Sequence, residues 1–136
     1  MSKIHYILIG LFLVAGCLFE VQAQTNDALV DDDKIYDVVD VAPEYPTGDA
    51  ARIRYLNRSL KYPKKARDAG IKGTVIMRFV VEKDGSITNV EVERARQKLL
   101  DEEAVRLVNS MPNWTPGEIN GIPVRTRVKM PVVFKL

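Results

Sequence analysis

The segment "TVIMRFVVEKDGSITNVEV", Thr74 to Val92, carries the clearest signal of secondary structure in the sequence. Its first half alternates apolar and polar residues, which predicts a strand with one buried face. The apolar face holds Val75, Met77, Phe79 and Val81. Asp84-Gly85 is a tight-turn signal, and the return strand places Val90 and Val92 on the same side. The stretch therefore predicts an antiparallel hairpin that needs a covering layer on one face.

Helical patterns on both sides of the hairpin supply that layer. Before it, Thr47 or Asp49 is predicted to cap a helix that runs to about Leu60, and Tyr62-Pro63 ends this helix. Pro63 then opens a short helix, and Gly73 opens the first hairpin strand. After the hairpin, a second main helix is predicted with Asp101 as its N-cap. Its buried stripe consists of Ala104, Leu107, Val108 and Met111.

The last strand is predicted in "VRTRVKMPVVFKL", which begins at Val124. Its inner face holds Val124, Thr126, Val128, Met130, Val132 and Phe134, and its outer face holds Arg125, Arg127 and Lys129. Pro131 cannot donate to a ladder, so it confines the strand to a sheet edge or a bulge. An edge strand exposes backbone groups that can pair with another chain. The basic outer face favours an acidic or polar partner, and the alternative is an edge protected by its own charges.

The connector before that strand is "SMPNWTPGEING", Ser110 to Gly121. Pro112 ends the second helix, and Pro116-Gly117 is a turn pair. The connector has no nucleophile beside a base and no cluster of donors. It is therefore interpreted as a joint in which Trp114 lies over the end of the core, with an aromatic ligand platform as the alternative.

The first 23 residues are predicted to be a signal peptide. A near-continuous apolar run, Ile4 to Phe19, precedes Val21 and Ala23, which have the spacing that signal peptidase prefers. A lipoprotein signal ending at Cys17, in "VAGC", is the second interpretation, and an uncleaved anchor is the third. All three place the domain outside the cytoplasm.

A mature chain from Gln24 contains neither His nor Cys, because His5 and Cys17 are the only ones. This excludes Ser-His-Asp and Cys-His catalysis, and also a zinc site built on Cys and His ligands. No cofactor, metal or catalytic residue is predicted. A formal net charge of +2 gives no argument for nucleic acid.

The segment from residue 24 to residue 44 is predicted to be an acidic leader. From Gln24 to Asp49 eight acidic residues stand against Lys34 alone. "DDDK", Asp31 to Lys34, lacks the ligand pattern of a calcium loop, so a solvated acidic run is the interpretation. "KIYDVVDV" adds a short strand or stays extended. The folded domain is predicted over residues 45–136.

The stretch from Tyr45 to Leu136 resembles the TonB C-terminal domain family. The resemblance rests on "YP", Tyr62 to Pro63, with "GIKGTV", on the hairpin "VEKDG", on "LDEEAVRLV", on "MPNWTPG" and on "MPVVFKL". It implies an α+β fold, with a three-stranded antiparallel sheet packed against two main helices. It also implies a periplasmic domain whose edge strand pairs with the TonB box, a short segment of TonB-dependent outer-membrane transporters. Carried onto this sequence, that edge is Val124 to Val133.

Family members that transduce energy have a membrane anchor and a long Pro-rich spacer, whereas the stretch before this domain is short, acidic and almost without proline. If the apolar segment is retained as an anchor, the resemblance also implies contact with inner-membrane energy-coupling proteins. Three hypotheses follow: a transporter-binding domain acting as transducer, accessory or competitor; another envelope interaction module; and a carboxylate-based hydrolase. A homodimer stays open for the first two.

Overall fold

The computed structural model describes residues 30–95 and 97–136. The chain divides at Asp31, and every element named below lies in the part from Asp32 to Leu136. In chain order the elements are β1 (Ile35–Tyr36), α1 (Asp49–Ser59), α2 (Lys64–Asp68), β2 (Gly73–Val81), β3 (Ile87–Val92), α3 (Lys98–Asn109), β4 (Gly117–Ile119) and β5 (Ile122–Phe134).

The sheet has the strand order β1-β5-β2-β3, and β4 pairs with β5 in addition. Strand β2 is antiparallel to both β3 and β5, so the predicted α+β fold with a three-stranded antiparallel sheet is confirmed. The two-residue β1 is parallel to β5. Strand β4 forms a hairpin with β5 through Asn120 and Gly121, whose φ angles of 51° and 76° suit a tight turn between twisted strands.

The β2–β3 hairpin forms where the sequence predicts it. The Gly85 amide donates to the Glu82 carbonyl at 2.9 Å, and Asp84 Oδ1 accepts from the Ser86 amide at 2.9 Å. Gly85 has a φ of 88°, which an L side chain rarely adopts. The four predicted inward residues of β2 are buried. Backbone sterics at the turn and burial of one face thus favour the same hairpin, whose register shifts once, between Arg78 and Val80.

Helix α3 covers the inner face of β2 and β3, but it starts earlier than the sequence predicts. Its N-cap is Gln97, so the assignment of Asp101 as N-cap was wrong. Leu100 lies inside the helix and is 2% exposed. Because Leu100 precedes Ala104 and Leu107 at helical spacing, extending the helix adds Leu100 to the buried stripe.

Helix α1 lies beside α3 and is held by polar contacts at its end. The Tyr55 hydroxyl donates to the Leu107 carbonyl at 2.9 Å. Glu103 of α3 accepts from the Lys61 amide at 2.5 Å, and Arg106 donates to the Ser59 carbonyl at 2.9 Å. The N-cap of α1 is Gly48, so the prediction that Thr47 or Asp49 caps this helix was wrong. The backbone of Thr47 is in the left-handed region, with a φ of 66°.

The connector before β4 closes one end of the core. Trp114 is 7% exposed and meets the rings of Tyr45 and Phe79 edge-on, at centroid distances of 5.9 Å and 5.3 Å. Its amide donates to the Gly85 carbonyl at 2.8 Å. The tryptophan therefore joins the hairpin turn, the start of the domain and the core.

Candidate functional site: the outer edge of β5

Strand β5 separates its side chains onto two faces as the sequence predicts. On the inner face Val124, Thr126, Met130, Val132 and Phe134 are buried, and Val128 is half-buried. On the outer face Arg127, Lys129, Pro131 and Val133 are exposed, and Arg125 is half-buried. The register against β2 runs without a shift from Gly73 opposite Phe134 to Val81 opposite Thr126. The alternation along β5 is therefore regular.

The direction of the backbone groups follows from Pro131. Pro131 stands opposite Ile76 of β2. The Ile76 carbonyl accepts from the Glu93 amide at 2.9 Å, so it points toward the β3 side and away from β5. In an antiparallel pair, opposite residues either exchange both bonds or turn both groups away. Pro131 accordingly faces the outer edge, where its lack of an N–H costs the β2–β5 ladder nothing.

The same alternation turns the amide and carbonyl groups of Arg127, Lys129 and Val133 toward the outer edge. The parallel pairing of Tyr36 with Thr126 takes up the Arg127 amide, because the groups of Thr126 itself face β2. Within residues 30–95 and 97–136, no strand pairs with β5 beyond that point on the side away from β2. One free amide, that of Lys129, thus precedes the proline. Such a row of unpaired groups is what strand addition requires.

The first part of the predicted edge is already occupied. Ile35 pairs with Arg125 and Tyr36 with Thr126, in the parallel sense. Strand β4 pairs with the first three residues of β5, Ile122 to Val124. After Tyr36 the chain turns back, and the amides of Asp40 and Val41 both donate to the Glu118 carbonyl of β4. The predicted edge, Val124 to Val133, is therefore covered by β1 as far as the Arg127 amide and open from Lys129 onward.

The basic outer face has acidic partners within the domain. Arg125 contacts Glu82 at 2.7 Å and Lys129 contacts Glu93 at 2.6 Å. The hydrogen bond from Arg125 lowers the pKa of Glu82, and the hydrogen bond from Lys129 lowers that of Glu93. Alternation along the hairpin in the sequence places both glutamates on its outward face. Their pairing depends on a strand register that spacing alone does not give.

Arg127 pairs with a carboxylate of the leader rather than of the hairpin. Its Nη1 lies 2.8 Å from a carboxylate oxygen of Asp37, in the leader. Arg125 also donates to the Asp33 carbonyl at 2.8 Å, and Lys83 lies 2.8 Å from Asp32. The leader thus meets three cations at one corner of the sheet. Sequence reasoning missed these contacts because they join distant segments, which for Arg125 and Arg127 are about 90 residues apart.

An apolar groove of about 260 Å³ flanks the open part of the edge. It lies between α1 and β5, and it is lined in part by Ile53, Leu56, Leu60 and Val133. Ile53 is 50% exposed and Val133 is 48% exposed. An added strand beside β5 would run along this groove, so alternate side chains of the strand would meet an apolar surface.

The predicted motif residues lie at turns and in the core, away from the open edge. Tyr62 packs edge-on against Phe134 at 5.7 Å. A Cβ on Gly117 would lie 2.4 Å from Thr126 Oγ1, so this glycine allows β4 to approach β5. Gly73 begins β2, Pro63 is the N-cap of α2, and Pro112 and Pro116 stand between α3 and β4.

Two of the sequence-based predictions fall on residues before residue 30. The predicted signal peptide, residues 1–23, and Cys17 with its lipidation both lie outside the described residues. Within the described residues, none of the helices has the length and apolar character needed to cross a membrane. The same residues contain no group of three or more His, Cys, Asp or Glu side chains able to hold a metal ion.

Fold and edge together define a small α+β domain with an open strand edge beside an apolar groove. Residues 58–136 match the family described as Gram-negative bacterial TonB protein C-terminal. The chain belongs to this TonB C-terminal family.

Similar proteins and solved structures bear the name TonB. A Protein TonB of Xanthomonas campestris pv. campestris is 36% identical over 77 residues, which are 56% of this chain and 34% of that protein. A Protein TonB of Vibrio cholerae serotype O1 is 30% identical over 77 residues, 56% of this chain and 31% of that protein. The chain thus spans about a third of the length of these curated relatives.

Two solution structures of the Helicobacter pylori TonB-CTD are also similar. One has a TM-score of 0.49 at 25% identity and covers 63% of this chain and 91% of that chain. The other has a TM-score of 0.48 at 22% identity and covers 62% of this chain and 76% of that chain.

Membership in a family of energy transducers agrees with a role other than catalysis.

Proposed function

We propose that this domain binds the TonB box segment of TonB-dependent outer-membrane transporters, in the periplasm, by strand addition to the outer edge of β5. The domain would serve energy-coupled transport as a transducer or as an accessory. The observation that carries the proposal is the open row of backbone groups from Lys129 to Val133. Family membership supplies the class of partner.

The chemistry of the edge agrees with this proposal. Main-chain bonds give strand addition its affinity, and pockets for alternate side chains give it specificity. The amide of Lys129 and the carbonyl of Pro131 face the open edge by alternation along β5. The groove beside Val133 supplies an apolar surface for one face of an added strand. A short extended segment with alternate apolar residues fits both features.

A titration of TonB box peptides into isotope-labelled protein tests the proposal. The expected result is chemical-shift change concentrated on the amides of residues 127–133 and on the groove residues of α1. A peptide of the same composition in scrambled order is the control. Shift changes confined to α3, or the absence of binding by any such peptide at millimolar concentration, would refute the proposal.

A second candidate is an envelope interaction module that does not transduce energy. One observation favours it: residues 35–44 lie along β5 and β4 through β1 and through the bridges of Val41 and Glu44. A segment bound to its own domain is not extended as a spacer. The candidate predicts binding to another periplasmic protein or to cell-wall fragments in the same titration, at the same edge and without a TonB box.

A further inference from the structure

The leader segment Asp32–Asp37 contacts the sheet at the point where a partner strand would begin. Its backbone pairs with Arg125 and Thr126 in the parallel sense. Two of its carboxylates meet cations at 2.8 Å: Asp32 contacts Lys83, and Asp37 contacts Arg127. A partner that paired along the whole edge from Val124 would require the same backbone groups and the same cations.

The leader is held weakly enough to be displaced. Strand β1 has only two residues. The side chains of Asp32 and Asp37 are 81% and 67% exposed, and exposed ion pairs contribute little to stability. Val38, which follows Asp37, is 84% exposed and shows where the chain leaves the edge.

We propose that Lys83, Arg125 and Arg127, with the outward backbone of Arg125, recognise an acidic extended segment that adds parallel to β5. The chain's own Asp32–Asp37 segment holds this site in cis until a partner segment displaces it. This inference rests on the proposed function and adds to it the partner's chemistry: carboxylates placed around a short pairing stretch. It also makes the leader a competitor of the partner.

Cis occupation has a measurable consequence. A tethered segment acts at an effective concentration near the millimolar range, so a free peptide of equal intrinsic affinity must compete with it. Weakening the leader's own contacts should therefore strengthen binding in trans. The variant Asp32→Lys with Asp37→Lys removes both ion pairs. The variant Asp68→Lys with Glu102→Lys makes the same change of net charge at exposed positions away from the edge.

The test uses labelled protein expressed from the full chain and an end-blocked peptide that copies residues 31–38, DDDKIYDV. The peptide should bind the leader variant about tenfold more tightly than it binds the unchanged protein, with shifts at residues 125–129. The charge control should bind like the unchanged protein. In the unchanged protein, saturating peptide should shift the Ile35 and Tyr36 amides away from their strand positions.

Equal affinity for the unchanged protein and the leader variant, or no binding to either, would overturn the inference. The inference would also be overturned if the charge control bound the peptide as tightly as the leader variant does, because net charge would then explain the effect. A TonB box peptide in the same samples separates the two proposals. If it binds both proteins equally, the cis competition is wrong and the proposed function stands. If it binds neither while the leader peptide binds, the proposed function fails and the acidic-segment site stands.

Discussion

The carbonyl oxygen of Gly85 accepts a hydrogen bond from the Trp114 amide at 2.8 Å, and a Cβ on Gly85 would lie 2.1 Å from the Trp114 carbonyl oxygen. The hairpin turn and the connector therefore touch through backbone alone. We expect Gly85→Ala to lower the free energy of unfolding by about 2 kcal/mol or more, since it adds a backbone clash to a strained φ.

Gly121→Ala is the matched control for Gly85→Ala. Gly121 has a φ of 76°, and no atom of the described residues lies within 4 Å of its Cβ position. This control should cost only the left-handed strain, about 1 kcal/mol. Denaturant unfolding measures both variants, and equal losses would contradict the account of the contact.

Trp114→Ala is expected to destabilise the domain by about 3 kcal/mol or more, because it removes a buried aromatic between Tyr45 and Phe79. Trp114→Phe, which keeps an apolar ring, should cost less. Thermal unfolding gives the comparison. A melting temperature that Trp114→Ala leaves unchanged would contradict the buried joint and favour an aromatic ligand platform.

The free energy of unfolding should depend on pH through the carboxyl group of Glu103. Its burial alone would raise its pKa, but hydrogen bonds from Arg106 and from the Lys61 amide outweigh burial, so the pKa is lowered from 4.5. A carboxyl with a lowered folded pKa contributes stability that is complete above its unfolded pKa and is lost as the pH falls through the folded value. We expect Glu103→Gln to cost about 2 kcal/mol at pH 7.

The difference in stability between the unchanged protein and Glu103→Gln should shrink as the pH falls below about 4.3, the ordinary pKa of a glutamate. Denaturant unfolding at several pH values between 7 and 3 measures it. Asp68→Asn, which removes a carboxyl group at an exposed position, is the control. A difference that stays constant down to pH 3 would show that the charge of Glu103 is not what stabilises the end of α1.

The signal prediction has its own test. If signal peptidase cuts after Ala23, Cys17→Ser should leave the mass of the mature protein and its release from membranes unchanged, because Cys17 is then removed with the signal. Mass spectrometry of protein isolated from cells measures this. A membrane-bound precursor that accumulates after the substitution would show that Cys17 is the lipidation site instead.

Local signals predicted much of the fold. Alternation of apolar residues and the Asp84-Gly85 pair predicted the hairpin, since both depend on backbone geometry and on one buried face. The start of α3 was missed because Asp101 is an equally good residue for a cap and for a first helical turn. Burial of Leu100, a tertiary effect, decided between them.

The candidate site was predicted in part. Pro131 and the alternation of β5 pointed to an edge strand, because a missing donor is visible in sequence. That Asp37 contacts Arg127, and that β1 covers Arg125, could not be read from the sequence. Long-range pairing of a two-residue strand leaves no periodic pattern, and charge counts do not say which acid meets which base.

If outward amides of β5 receive a partner strand, the amide of Lys129 should be needed for binding. Lys129→Pro removes an amide that faces the outer edge, whereas Lys129→Ala loses the same ion pair with Glu93 and keeps the amide. Both variants should keep the fold, while Val128→Pro, which removes an amide facing β2, should lower the melting temperature. We expect Lys129→Pro to weaken TonB box peptide binding about tenfold relative to Lys129→Ala. Equal affinity of the two folded Lys129 variants would contradict it.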